Sequence, residues 1–150
     1  MGLREKKRLG DLLVEKGLIS AEQLAAALIK QRASGEFLGL ILVRSGWVSE
    51  EVLVKTLSDQ FGIPFVRLAD QQVEWNTAAQ FPTSLLKERH CFPLRMDRQA
   101  ITVAITNPLD AWAISELERG AGFRKVDLVL MSVKDVQDAL GEFERRSRSR

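Results

Sequence analysis

One segment occurs twice within the first sixty residues, and this duplication constrains the fold more than any other feature of the chain. Residues 8–31 align without gaps on residues 37–60 at an offset of 29, with ten of 24 positions identical. A fixed offset of this kind indicates two copies of one supersecondary unit that pack together to form a core. In the first copy the identical residues are Leu9, Gly10, Leu13, Val14, Gly17, Ser20, Glu22, Leu24, Leu28 and Gln31.

Each copy has the pattern of a short helix, a stop and a longer helix. Gly17 and Gly46 suit the left-handed conformation that ends a helix, and Ser20 and Ser49 are good N-caps for the next one. Ser20 with Gln23 also forms a capping-box pattern. Leucines four residues apart then give each longer helix one apolar face. The repeat therefore predicts a four-helix unit, with its copies joined by a linker at 32–36 and its last helix ended by Gly62 and Pro64.

The second half of the chain changes to short β-prone runs mixed with helical stretches. Strands are predicted at 65–68, 91–96, 100–106 and 126–131, and the middle two should form a hairpin. Helices are predicted at about 84–89, 110–119 and 132–144. The fold class predicted is therefore α+β. We expect a tandem-repeat helical subdomain at 1–62, a small α+β subdomain with a mixed sheet at 63–144, and a disordered basic tail at 145–150.

Charge and cysteine content exclude several classes of function. The net charge of +2 depends on four arginines in the last six residues, and without them the rest of the chain has a charge of −2. A nucleic-acid binder usually spreads basic residues over a folded face, so we expect no nucleic-acid partner. The single cysteine, Cys91, forms no intrachain disulfide and fits a cytoplasmic protein. No apolar run approaches the roughly 20 residues of a spanning helix, so we expect no membrane insertion.

The sequence contains no pattern that indicates catalysis. It has neither a G-x-x-x-x-G-K-[ST] phosphate loop nor a G-x-G-x-x-G turn. The only histidine, His90, is next to Cys91, but a metal site needs three or four converging ligands. Adjacent strand residues also point to opposite faces, which argues against a Cys/His nucleophilic pair. We therefore expect no catalytic residue, no metal and no cofactor.

The duplicated elements instead suggest a binding site for a ligand that is itself double. Gly10 and Gly39 lie near the start of each short helix, where bare backbone amides approach a phosphate closely. The guanidinium of Arg8 has the geometry to fork onto a guanine edge, and Gln31 and Gln60 each offer a donor and an acceptor. A structural alternative stays open, because leucines at helical spacing are typical of a core and glycine before a helix is typical of a turn.

The two segments resemble the paired motif of MshEN domains, RLGxx(L/V/I)(L/V/I)xxG(L/V/I)(L/V/I)xxxxLxxxLxxQ, which those domains repeat after a five-residue spacer. The first copy agrees throughout, whereas the second has Phe37 in place of Arg and the bulkier Trp47 at an aliphatic position. The segment AITNPLDAWAISEL at 104–117 is also similar to these domains. This resemblance implies binding of one cyclic di-GMP, with each motif holding half of it. The ligand residues it implies are Arg8, Leu9, Gly10, Leu13, Leu24, Leu28, Gln31, Phe37, Leu38, Gly39, Leu42, Leu53, Leu57 and Gln60.

Two functional hypotheses follow from the resemblance. The first is a cyclic di-GMP receptor that regulates a type II secretion or type IV pilus ATPase. The second is a docking module of the same fold that binds no nucleotide and contacts a platform protein of the machine. The partners expected are therefore cyclic di-GMP and a secretion or pilus ATPase domain or platform protein. Fold alone does not decide between them. The intact first motif favours the receptor, and an enzymatic function ranks third.

Overall fold

The computed structural model describes residues 8–148. The chain divides into two compact units between Gln60 and Phe61. The four helices predicted from the repeat are α1 (Leu9–Glu15), α2 (Ala21–Ser34), α3 (Leu38–Arg44) and α4 (Glu50–Phe61), and they make up the first unit except for Phe61, the last residue of α4. Helix α2 extends to Ser34, so only residues 35–37 separate it from α3, and the linker is shorter than the five residues predicted.

The turn between helices is the same in both copies. Gly17 has φ 75° and its amide donates to the carbonyl of Val14 at 2.9 Å. The amide of Leu18 donates to the carbonyl of Leu13, also at 2.9 Å. The second copy repeats both bonds 29 positions later, at 3.0 and 3.1 Å, around Gly46 with φ 77°. These paired bonds are the Schellman arrangement that satisfies the last carbonyls of a helix.

Both longer helices begin at the serine N-caps that the sequence predicted. The Oγ of Ser20 accepts from the amide of Gln23 at 3.0 Å, and the Oε1 of Gln23 accepts from the amide of Ser20 at 2.9 Å. The capping box is therefore confirmed. In the second copy the Oγ of Ser49 accepts from the amide of Val52 at 3.1 Å. Valine has no side-chain acceptor to return that bond, so the second cap is one-sided.

The second unit is built on a three-stranded mixed sheet, and the predicted α+β class is confirmed. Strands β1 (Cys91–Met96) and β2 (Ala100–Ile105) form the expected antiparallel hairpin, and β3 (Lys125–Leu130) pairs with β2 in parallel. The unit's helices are α5 (Trp75–Ala78), α6 (Thr83–Arg89), α7 (Ala111–Ala121) and α8 (Val133–Arg148), with a 3₁₀ turn at Leu68–Asp70.

Helix α7 makes the crossover between the two parallel strands, and its start is fixed by two side chains. The Oδ1 of Asn107 accepts from the amide of Leu109 at 2.9 Å. The Oδ1 of Asp110 then caps the helix by accepting from the amide of Ala113 at 3.0 Å. Asp110 also forms an ion pair with Arg89 at 3.2 Å. The NPLD sequence therefore works as an Asx turn that leads into an N-cap.

Three features of the second unit differ from the prediction. The strand expected at 65–68 is only a single bridge from Phe65 to Leu130, because Leu68 already belongs to the 3₁₀ turn and its amide donates to the Oδ2 of Asp135. The short helix α5 was not predicted. Residues 145–148, expected in a disordered tail, belong to α8, where Arg145 and Arg146 both pair with Glu142 one turn earlier. Residues 149 and 150 of that predicted tail lie outside the described residues.

Candidate functional site

Arg8 and Phe37 occupy equivalent backbone positions at the starts of α1 and α3. Each is the N-cap residue of its helix, with φ/ψ of −64°/148° for Arg8 and −60°/131° for Phe37. Neither side chain caps its own helix. The Arg8 side chain is exposed and the Phe37 ring is half-buried. The duplication therefore places a cation at one helix start and an aromatic ring at the other.

The first glycine of each motif is where the longer helix packs onto the shorter one. A Cβ on Gly10 would overlap a terminal methyl of Leu24 on α2. A Cβ on Gly39 would lie 2.8 Å from Cδ2 of Leu53 on α4, which is the equivalent contact. The same Cβ would also lie 2.9 Å from the Phe37 ring. Both glycines are buried, so they permit close helix packing rather than presenting an open backbone surface.

Gln31 has a structural partner that the sequence did not reveal. Its Nε2 donates to the backbone carbonyl of Glu36 at 3.1 Å. The carboxylate of Glu36 forms an ion pair with Arg44 at 2.9 Å. The hydrogen bond from Arg44 lowers the pKa of Glu36 and raises that of Arg44 itself. Glu36 and Arg44 were absent from the predicted site, and their separation of eight residues matches no helical spacing that would indicate a pair.

Most of the predicted ligand leucines lie in the core of the first unit. Leu13, Leu42 and Leu57 have no exposed surface, and Leu9, Leu53 and Leu38 expose 2%, 5% and 8%. Leu24 and Leu28 on α2 are instead half-buried. Of the predicted site residues, those with accessible side chains are therefore Arg8, Leu24, Leu28, Gln31, Phe37 and Gln60, although the Oε1 of Gln60 is itself buried.

The two copies differ in what they expose. In the first copy the two motif leucines of the longer helix are half-buried, whereas the equivalent leucines of α4 are buried. The guanidinium also belongs to the first copy, where the Arg8 side chain is exposed and makes no capping hydrogen bond to α1. The accessible and charged part of the predicted site therefore lies mainly on α1 and α2.

Trp47, the other residue that departs from the motif, connects the two copies. It follows the glycine that ends α3 and is half-buried. The Nζ of Lys30 on α2 lies 5.4 Å from the centre of its ring, which is a cation–π distance. The bulkier side chain of Trp47 thus contacts a lysine of the neighbouring copy.

His90 and Cys91 do not form a reactive pair. Cys91 is 1% exposed, and burial together with the Asp110 carboxylate raises the pKa of its thiol to about 12. Burial lowers the pKa of His90, whose Nδ1 has no hydrogen-bond partner among the described residues. His90 ends α6 with φ 52°, so its role is that of a helix terminus. Within residues 8–148 no three or more His, Cys, Asp or Glu side chains cluster in a way that would hold a metal ion.

None of the helices within the described part of the chain has the length and apolar character needed to cross a membrane.

The fold defines the class of protein, which is an α+β protein in which a duplicated helical unit precedes a three-stranded mixed sheet. A family model described as the MshEN domain matches residues 61–150. The chain belongs to the MshEN domain family, and the resemblance seen in its sequence is confirmed. The matched residues are those of the second unit, so the duplicated motif lies outside this match.

Solved structures with the same fold extend the similarity across both units. MshE, solved with cdg (cyclic di-GMP), has a TM-score of 0.75 and 28% sequence identity, and the match covers 91% of this chain and 99% of that one. The N-terminal domain of XpsE has a TM-score of 0.74 at 22% identity, covering 94% of this chain and 97% of that one, which shows the fold alone.

The Type IV pilus assembly ATPase PilB of Thermus thermophilus is similar in sequence, with 37% identity over 114 residues. The matched segment is 75% of this chain but only 13% of PilB.

Proposed function

We propose that this chain is a cyclic di-GMP receptor domain that regulates an ATPase of a type II secretion or type IV pilus system. The observation that carries this proposal is the duplicated motif, whose two copies share the same turn, the same glycine packing and the same helix order. A ligand made of two equal halves is matched by a backbone unit that occurs twice, although the two copies expose different side chains. The similarity to MshE solved with that ligand supports the proposal.

The accessible residues supply the chemistry that such a ligand needs. Arg8 presents two parallel donors to the O6 and N7 acceptors of guanine. Gln31 keeps its carbonyl oxygen available while its amide holds the linker, and half-buried Leu24 and Leu28 offer apolar contact beside it. The buried motif leucines act beneath the site, where they fix the helices that carry these side chains. In this proposal the domain itself catalyses no reaction.

The alternative function is a docking module without a nucleotide. It is favoured by the loss of the second arginine and by an apolar patch at the start of α7, where Leu109 and Trp112 are 47% and 54% exposed. Exposed aromatic side chains of this kind are enriched in protein interfaces. The partner in that case is a platform protein of the same machine.

Calorimetric titration of the chain with cyclic di-GMP tests the proposal, with GTP and ATP as controls. We expect binding of cyclic di-GMP at one site per chain and no magnesium-dependent ATP turnover. Arg8→Ala should weaken binding by about ten- to a hundredfold, the range for a lost charge-assisted contact. Arg98→Ala is the matched control, since Arg98 is an exposed arginine in the second unit.

Two results would decide against the receptor. Absence of both heat and a thermal shift with cyclic di-GMP would favour the docking module. Equal losses in Arg8→Ala and Arg98→Ala would show that binding depends on overall charge and not on the predicted site.

A further inference from the structure

We propose that the replacement of arginine by Phe37 relaxes base selection in one half of the site, so that the chain also binds a mixed cyclic dinucleotide of one guanosine and one adenosine. This inference rests on the proposed function and concerns the specificity of the same site. It starts from the finding that Arg8 and Phe37 occupy equivalent backbone positions but differ completely in chemistry.

The Arg8 half selects guanine. An arginine reads guanine through O6 and N7, which are both acceptors, whereas adenine presents a donor amino group at the place of O6. The guanidinium is exposed and makes no capping hydrogen bond to α1. It is therefore available to donate to both O6 and N7 of guanine. Adenine at this position would place its amino group, a donor, against an N–H donor of the guanidinium.

The Phe37 half has no such preference. Its ring lies against Gly39, where a Cβ would be 2.9 Å from Cε2 and Cζ. The ring is only half-buried, so part of it remains accessible to a ligand. An aromatic ring stacks on the π-face of any base and carries no donor or acceptor that distinguishes guanine from adenine.

The position of Phe37 is fixed by its neighbours. The preceding residue, Glu36, is held at its carbonyl by Gln31 and at its carboxylate by Arg44, at 3.1 and 2.9 Å. Arg44 is the last residue of α3, and both of its terminal nitrogens contact that carboxylate. It is therefore occupied and does not replace the missing guanine reader.

The remaining polar residues of the site do not restore selectivity. The amide nitrogen of Gln31 already donates to the carbonyl of Glu36, and the Oε1 of Gln60 is buried, so neither amide presents the donor set that would select guanine at Phe37. The two helix starts also lie close together, since Cδ2 of Leu38 would be 3.3 Å from a Cβ on Gly10. One ligand can thus reach both helix starts, with one base at Arg8, which selects guanine, and the other base at Phe37, which accepts guanine or adenine.

The test is a calorimetric comparison of three ligands on the full chain: cyclic di-GMP, the mixed cyclic GMP–AMP and cyclic di-AMP. We expect the mixed dinucleotide to bind within about threefold of cyclic di-GMP, because it can place its guanine at Arg8. Cyclic di-AMP should bind at least about tenfold more weakly, the lower range for a lost bidentate base contact.

Two variants assign the effect to Phe37. Phe37→Arg should restore selection, so that the mixed dinucleotide binds at least about tenfold more weakly than cyclic di-GMP. Phe37→Leu is the matched control, because it keeps an apolar side chain without adding a donor and should leave the ratio of the two affinities unchanged. Melting temperatures of both variants without ligand verify that they fold. If Phe37→Arg does not fold, the relative affinities of the three ligands for the unmodified chain and for Phe37→Leu still test the inference.

The outcomes separate this inference from the proposed function. Binding of cyclic di-GMP with a mixed dinucleotide already tenfold weaker in the unmodified chain would overturn the inference and leave the receptor function intact. An unchanged ratio in folded Phe37→Arg would show that Phe37 is not the determinant. Binding of none of the three ligands would overturn the receptor function, and the inference with it.

Discussion

The side-chain amide of Gln31, at the end of the first motif, donates a hydrogen bond to the backbone carbonyl of Glu36 at 3.1 Å. Glu36 precedes the second copy of the motif, so this bond ties the end of one copy to the start of the next. Gln31 is therefore part of the scaffold as well as a candidate ligand residue, and its substitution should affect the protein even without nucleotide.

We expect Gln31→Ala to lower the free energy of unfolding by about 0.5–1.5 kcal/mol, the usual net contribution of such a hydrogen bond. Chemical denaturation without ligand measures this change. Gln137→Ala is the control, since Gln137 is exposed on α8. Unchanged stability in Gln31→Ala would mean that the bond to Glu36 contributes nothing and that Gln31 is free to serve the ligand alone.

Gly39→Ala and Gly141→Ala should change stability in opposite directions, although both are helical glycines. The new Cβ at Gly39 meets buried Leu53 and the Phe37 ring at 2.8 and 2.9 Å, and this overpacking should cost about 1–3 kcal/mol. A Cβ at Gly141 meets nothing within 4 Å, so helix propensity alone should stabilise α8 by about 0.5–1 kcal/mol. Thermal denaturation of both variants checks this. Two changes of the same sign would contradict the packing described for α3 and α4.

The burial of His90 should make the protein less stable in mild acid. Because burial lowers its pKa below 6.5 in the folded state, the unfolded chain binds a proton more readily than the folded one. Stability should thus be complete above pH 6.5 and fall as the pH decreases from 6.5 toward the lowered pKa. The chain has a single histidine, so no other histidine contributes to this slope.

His90→Asn is the variant that tests this slope. Asparagine tolerates the left-handed backbone at φ 52° but does not titrate in this range. Denaturant unfolding at pH 7.5 and 5.5 should show a smaller loss of stability in the variant than in the unmodified chain. An equal loss in both would assign the pH dependence to carboxylates instead.

The thiol of Cys91 should be unreactive in the folded protein. It is 1% exposed, and its pKa is raised to about 12, so almost no thiolate exists at pH 8. A chromogenic disulfide reagent should therefore modify it slowly without denaturant and rapidly with it. Fast modification under native conditions would show that the first residue of β1 opens readily to solvent.

The elements that follow local rules could be predicted from the sequence. The serine caps, the glycine stops and the hairpin of β1 and β2 depend on residues close together in the chain. Helix α5 could not be predicted in this way, because its four residues are stabilised by tertiary contact. Trp75 packs edge-on against Phe92 with ring centres 5.7 Å apart, and Thr77 and Ala78 are buried.

The candidate site was predictable in its residue types but not in their exposure. The motif leucines of α2 and α4 have identical spacing, and only tertiary packing leaves Leu24 and Leu28 half-buried while Leu53 and Leu57 enter the core. The bond from Gln31 to Glu36 was likewise invisible, because it depends on where the chain turns after α2. Composition predicted disorder for the C-terminal arginines, but Arg145 and Arg146 form ion pairs with Glu142 that stabilise the last turns of α8.

The repeated turns at Gly17 and Gly46 have a consequence for how the chain acquires its structure. Each is closed by bonds between residues three and five positions apart, so it forms with little loss of loop entropy. The parallel pairing of β2 and β3 instead waits for the whole of α7 to fold and cross over. Because local contacts form faster than distant ones, we expect both helical hairpins to be in place before the sheet is complete. During synthesis the duplicated unit would then already be folded when β1, β2 and β3 leave the ribosome.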